Sequence, residues 1–182
     1  MAKTSNPLFL VPLKFGLIGA AFNVLAILVV FYLGKHPLLL NPLVNGQLVL
    51  YALIIFASFK YFKDQYSEGI LHFWQGLAIG LFAYIVMSSV IAIFIYGFSA
   101  VEDTQFLSEF IRLKTNELTL NKDAYFEAMG VGEEAYNRAL SALPGTKPIH
   151  LALLYIRQSI LIGLLLTIVF SILMRNKVST NR

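Results

Sequence analysis

The sequence predicts an all-α protein: a four-helix transmembrane bundle with a short amphipathic helical cap between helices 3 and 4. Three observations predict it. Of 182 residues, 58% are hydrophobic and only 13% are charged, against about 25% charged in soluble domains. The missing charge is concentrated in four apolar runs of 18 to 29 residues, where a helix needs roughly 20 to cross a ~30 Å hydrocarbon core. The one long stretch between the third and fourth runs, 99–148, is charged and has its apolar residues at helical spacing.

The whole chain, 1–182, reads as a single membrane domain. The first run, 15–33, is "FGLIGAAFNVLAILVVFYL". It exceeds the length of a signal-peptide core and no small-x-small site follows, so an uncleaved anchor is expected. The connector "GKHPLLLNP" carries two prolines that interrupt helix. The second run is 43–60, and "KYFKDQYSEG" after it reads as a charged turn. The third run, 70–98, is too long to be wholly immersed and must tilt or protrude. Its protruding end is expected at "SEGILHFW", with Trp74 at the headgroups. The fourth run is 151–174.

Orientation follows from Lys and Arg beside the runs. The N-terminus, the second link and the C-terminus share one side and hold Lys3, Lys14, Lys60, Lys63, Arg175, Lys177 and Arg182. Both termini are therefore expected in the cytoplasm of a multi-pass inner-membrane protein, with 99–148 outside. Tyr32, Tyr96 and Tyr155 are expected at the outer interface, and Tyr61, Tyr66 and Trp74 at the inner one. In the outer segment, Phe106, Phe110 and Leu113 fall on one helical face, with Leu107 and Ile111 alongside. Glu102 and Asp103 fit its first turn, where the helix dipole favours acids. "NKDAYFEAMG" predicts a second short helix and "GEEAYNRALSALPG" a third.

Lipid supplies no hydrophobic drive between helices, so close approach along small residues must hold the bundle. The third helix offers Gly76, Gly80 and Ala83 in one stripe with His72 and Met87, while Trp74 points away. The fourth repeats Ser159, Gly163, Thr167 and Ser171 every four residues. The first offers Gly16, Gly19 and Asn23, with Ala20 and Ala26 on the same broad face. Gln75 is expected to hydrogen-bond between helices, and the amide of Asn23 must find partners. Arg157 lies inside the fourth run, where an arginine at the membrane centre costs at least ~2.5 kcal/mol. Near the outer end it can snorkel. The expected partner is Glu102 or Asp103, an ion pair joining cap to bundle.

"PLKFGLIGA" (12–20), "SEGILHFWQGLAIG" (67–80) and "EAMGVGEEAYNRAL" (127–140), followed by one last helix and a basic tail, resemble a bacterial family of small four-helix membrane proteins, domain of unknown function 4199. Phe73-Trp74-Gln75 stands where that family has a pattern close to Phe-Gly-Gln. The resemblance covers nearly the whole chain. It implies fold and membrane location, and no activity.

The residues that carry chemistry are few. There is no Cys, which removes disulfides, thiolate catalysis and Cys-based metal sites. His36, His72 and His150 lack any metal-binding spacing, and no nucleophile elbow or phosphate loop is present. No catalytic, cofactor or metal site is expected, and the chain reads as a non-enzyme. The net charge of +4 is scattered beside apolar runs, so nucleic acid is not an expected partner. The expected partners are the lipid bilayer and another membrane or envelope protein, with oligomerisation left open. The function class is an accessory or scaffold subunit. The alternative is a small transporter or channel component, disfavoured because no run carries a central Asp, Glu or His and no inverted repeat is visible.

Overall fold

The structure, a computed structural model, describes residues 6–41, 46–122 and 132–176. Their regular structure is entirely helical. Four long helices are α1 (Pro7–Tyr32), α2 (Gln47–Tyr66), α3 (Phe73–Ala100) and α6 (Pro148–Met174). Between α3 and α6 lie a 3₁₀ turn (Glu102–Thr104), α4 (Phe106–Leu120), α5 (Glu133–Ala142) and a second 3₁₀ turn (Leu143–Gly145). The helix expected over "NKDAYFEAMG" falls largely outside the described residues, as do Lys3, Lys177, Arg182 and the first residues of the expected 43–60 run.

Local chemistry sets the ends. Asn6 caps α1, its Oδ1 accepting the Leu8 N–H at 3.1 Å, and Pro7 takes the first helical position, where no N–H is needed. α1 thus begins well before the expected residue 15, with Pro12 buried inside it. It stops at Gly34, whose φ of +79° only glycine adopts freely. There Gly34 N–H reaches Phe31 O at 2.9 Å and Lys35 N–H reaches Val30 O at 3.2 Å, the paired bonds of a Schellman ending. α2 runs on through "KYFKDQ" to Tyr66, where a turn was expected. Phe59 and Phe62 continue its buried stripe past Lys60, so packing decides the helix length and the charged side chains point outward.

α3 is the central helix. It packs against α1, α2 and α6 and is the most deeply buried of the three most apolar helices. The chain alternates between two ends. At one end Val11, Phe59, Phe62, Leu71 and Ile79 form a core with Phe170 and Met174, uniting the start of α1, the end of α2, the start of α3 and the end of α6. At the other end Ile27, Leu38, Ile91, Ile95 and Leu151 meet Phe106 and Phe110 of α4. Asn176 closes the first end: its Oδ1 accepts the Leu71 N–H at 3.1 Å and its N–H donates to Leu71 O at 3.1 Å.

Three of these helices, α1, α3 and α6, are long and apolar enough to cross a membrane. α2 is shorter and carries Lys60, Lys63 and Asp64 in its last two turns. The outward faces are strongly apolar: Phe22, Leu25 and Val29 on α1, and Leu161, Leu165 and Leu173 on α6, are all exposed. Exposed apolar surface on this scale is expensive in water and neutral in lipid.

The cap is anchored by rings. Phe106 sits 5.0 Å from Phe31, 5.3 Å from Phe98 and 4.4 Å from His36, centroid to centroid. Thr104 turns the chain onto the bundle by sharing its one O–H between the Phe98 and Val101 carbonyls, both at 2.8 Å. Glu102 and Asp103 therefore lie in a separate 3₁₀ turn, not in the first turn of α4 as expected, because Gln105 breaks the helix with a φ of +54°. Across the cap, the buried Tyr136 of α5 donates from its hydroxyl to Leu118 O at 3.3 Å.

Candidate functional site

The expected small residues all lie at helix–helix seams. A side-chain carbon at Gly16 would stand 2.8 Å from Ala83 O, and one at Gly19 would stand 2.6 Å from Met87 Sδ and 2.9 Å from Ile54 Cγ1. One at Gly76 would meet Ser171 Oγ at 3.0 Å; one at Gly80 would meet Thr167 Cγ2 at 2.6 Å. At Gly163 it would fall on the Tyr84 ring. The α3 stripe thus serves three neighbours: Ala83 meets α1, and Gly76 and Gly80 meet α6 and Phe59 of α2. Ser159, Thr167 and Ser171 are buried beside Gly163 along the same seam. Ser171 Oγ donates to Thr167 O at 2.6 Å, which satisfies a hydroxyl that lipid could not.

The seam encloses a group of tyrosines that sequence reasoning missed. Tyr51 of α2 and Tyr155 of α6 are wholly buried and their hydroxyls are 2.6 Å apart. Tyr84 of α3 reaches Ser159 Oγ at 3.3 Å, and its ring lies 5.9 Å from that of Tyr51. Tyr155 had been expected at the outer interface. The spacing that places Ser159 and Gly163 inward places Tyr155 inward too, since all three are four residues apart. These hydroxyls tie three helices together and satisfy one another where unpaired polar groups are costly.

Asn23 is fully buried, and neither amide atom has a hydrogen-bond partner. It faces a cavity of about 10 Å³ shared with Gln47 and Pro37. Gln75 makes no bond to another helix: its Oε1 accepts the His72 backbone N–H at 3.1 Å. The cause is local. Three residues into α3, a glutamine reaches back to the first unpaired N–H more readily than across to a neighbour. Trp74 is 73% exposed at that end, on the opposite side from the glycine stripe.

The expected Arg157 ion pair does not form. Arg157 is exposed, and among the described residues the salt bridges are Arg112–Glu109, Lys114–Glu117, Lys122–Glu133 and Arg138–Glu134. The reason is angular. Asp103 lines a cavity with Lys35 and His36, Glu102 lines another beside Ser108 and Ile111, and Arg157 lies on a third side with Lys114.

The cap is instead joined to the bundle through His36, which the sequence reading had not distinguished. Its ring is buried between Phe31, Phe106 and Phe110. Nε2 donates to Phe106 O at 3.1 Å, and Nδ1 accepts the Leu38 N–H at 3.4 Å. One nitrogen donating and the other accepting defines a neutral imidazole. Burial pulls its pKa down to about 4, against the upward pull of the Phe106 carbonyl and Glu109. No group of three or more His, Asp or Glu side chains with metal-binding geometry occurs among the described residues.

No curated protein and no solved structure matches the chain. A family model does, over residues 14–176. That stretch takes in α1 from Lys14 onward, α2, α3, the cap, α6 and the Asn176 clasp. The chain belongs to the family described as Protein of unknown function (DUF4199).

Proposed function

We propose that the chain is a four-pass inner-membrane scaffold, an accessory subunit that holds another membrane or envelope protein through its outer surfaces. In this reading α2 crosses with α1, α3 and α6. Its support is the alternation of chain ends: Tyr51 at the start of α2 packs beside Tyr155, and Phe62 near its end packs with Val11. Both termini and the α2–α3 link lie in the cytoplasm, where Lys60, Lys63 and Arg175 favour them. The α4–α5 layer lies outside.

One observation carries the scaffold reading: the seams are closed at their glycines. Gly16 lies on Ala83, Gly80 on Thr167 and Gly163 on Tyr84 with no room for a methyl group. A bundle filled this tightly is a rigid body whose working surfaces are external. A photo-crosslinker at Asn116 or Leu120 on the exposed end of α4, used in native membranes, tests it. The scaffold reading expects one discrete heteromeric adduct. Adducts to lipid alone, together with solute flux in liposomes made with the purified chain, would favour a transporter or channel component.

A further inference from the structure

The cation at Arg157 stands on a face that the bundle leaves to its surroundings. Ile160, Leu161, Leu164 and Ile168 continue that side of α6 toward Met174 and are exposed. An unpaired guanidinium at the head of an apolar stripe is costly unless an anion meets it. From Arg157 to Met174 the helix rises about 26 Å, close to the ~30 Å of a hydrocarbon core. With Arg175 among the headgroups at one boundary, Arg157 lies at the other, where lipid phosphates are.

The surroundings of Arg157 form a groove of about 450 Å³. Leu38 and Leu154 supply apolar walls, Phe110 and Lys114 of α4 form its roof, and Gln158 donates from Nε2 to Leu38 O at 3.2 Å, holding the α1–α2 connector against α6. Lys114 already pairs with Glu117 at 2.9 Å. The lysine charge is therefore balanced, and the groove keeps the surplus positive charge of Arg157. A planar guanidinium binds phosphate oxygens two at a time.

We propose that this groove binds the phosphate of an anionic phospholipid, with its acyl chains lying down the Leu161 face of α6. The lipid wedges between cap and bundle, taking the place that an acidic side chain would otherwise fill. The inference rests on the membrane-spanning reading of the chain.

Native mass spectrometry of the detergent-purified chain tests it, with phosphatidylglycerol and phosphatidylcholine offered separately. Wild type should retain one phosphatidylglycerol in preference to phosphatidylcholine. Losing a charge-assisted pair should weaken that retention roughly tenfold or more in Arg157→Gln. Lys147→Gln, which removes a cation from the same end of α6 outside the groove, should retain lipid like wild type, and excess inorganic phosphate should not displace it. Equal retention by wild type and Arg157→Gln, or displacement by inorganic phosphate, overturns the site. Unchanged thermal unfolding of Arg157→Gln assigns its loss of lipid to the groove; if that variant unfolds, Arg157→Lys, which keeps the charge but not the two-pronged fork, should fold and still prefer phosphatidylglycerol, more weakly than wild type, and a folded Arg157→Lys without that preference overturns the site too. Carbonate extraction of the native membranes separates the two readings: a chain stripped from the membrane ends the membrane reading and this site with it, whereas a chain that stays embedded yet shows no preference ends this site alone.

Discussion

Replacing Gly163 with alanine adds one methyl group to the closest seam. The new carbon would lie 2.6 Å from Tyr84 Cγ, where carbon atoms prefer about 3.5–4.0 Å. Tyr84 Cδ2 and Cε2 lie closer still, so the ring or the helix must retreat by more than about 1 Å. The ring has little freedom, because its hydroxyl bonds Ser159 Oγ at 3.3 Å and its face adjoins Tyr51. Overpacking of this kind costs about 1–3 kcal/mol, and the strained hydrogen bond adds about 1 kcal/mol. Alanine's better helix propensity returns about 1 kcal/mol. The net is a loss of about 1–3 kcal/mol. Gly97 supplies the control: it lies in α3 with nothing within 4 Å of its added carbon. Gly97→Ala should be neutral or more stable by up to ~1 kcal/mol. Both variants are read by thermal or detergent unfolding, followed by near-ultraviolet circular dichroism of the tyrosines. If Gly163→Ala proves as stable as Gly97→Ala, close backbone approach is not what holds the bundle.

Two further outcomes follow from polar groups inside the fold. His36 is held neutral when folded, so between pH 6.5 and about 4 the unfolded chain carries a proton on this ring that the folded chain does not. Its contribution is complete above pH 6.5 and is lost as pH falls toward 4, a change of about 3 kcal/mol. The acid limb of a stability–pH profile should flatten in His36→Phe, and a limb of unchanged slope would refute the assignment. For the tyrosine pair, a Tyr51→Phe, Tyr155→Phe double-mutant cycle should give a coupling of about 1 kcal/mol. Zero coupling in unfolding measurements would mean that the hydroxyls act independently.

Much of this architecture was visible in the amino-acid order because lipid imposes simple demands. Long apolar runs marked α1, α3 and α6, and small residues four apart marked Gly76–Gly80 and Ser159–Gly163–Thr167–Ser171. Periodicity says which residues share a face but not which neighbour meets it. Tyr155 was therefore assigned to an interface although it shares the inward stripe. Charges misled at α2, where Lys60 and Lys63 implied a turn yet project from a helix that Phe59 and Phe62 anchor. Arg157 demanded an anion, and the nearest acids in the expected topology were Glu102 and Asp103. Only three-dimensional placement shows them on other sides of the cap. His36 was unreadable for a related reason: its rings and carbonyl come from residues 70 or more positions away, apart from the neighbouring Phe31 and Leu38.

In the proposed reading the chain crosses the membrane four times. The absence of native cysteine allows single cysteines to report on it without background. Cysteines at Lys35 between α1 and α2, Gln65 at the end of α2, Ser141 in α5 and Asn176 after α6 would be labelled with a membrane-impermeant maleimide in right-side-out and inverted vesicles. Four crossings predict that Lys35 and Ser141 label from the outside, and Gln65 and Asn176 only from the cytoplasmic side. Lys35 labelling from the same side as Gln65, which would leave α2 uncrossed, or Ser141 labelling from the cytoplasmic side, would contradict it.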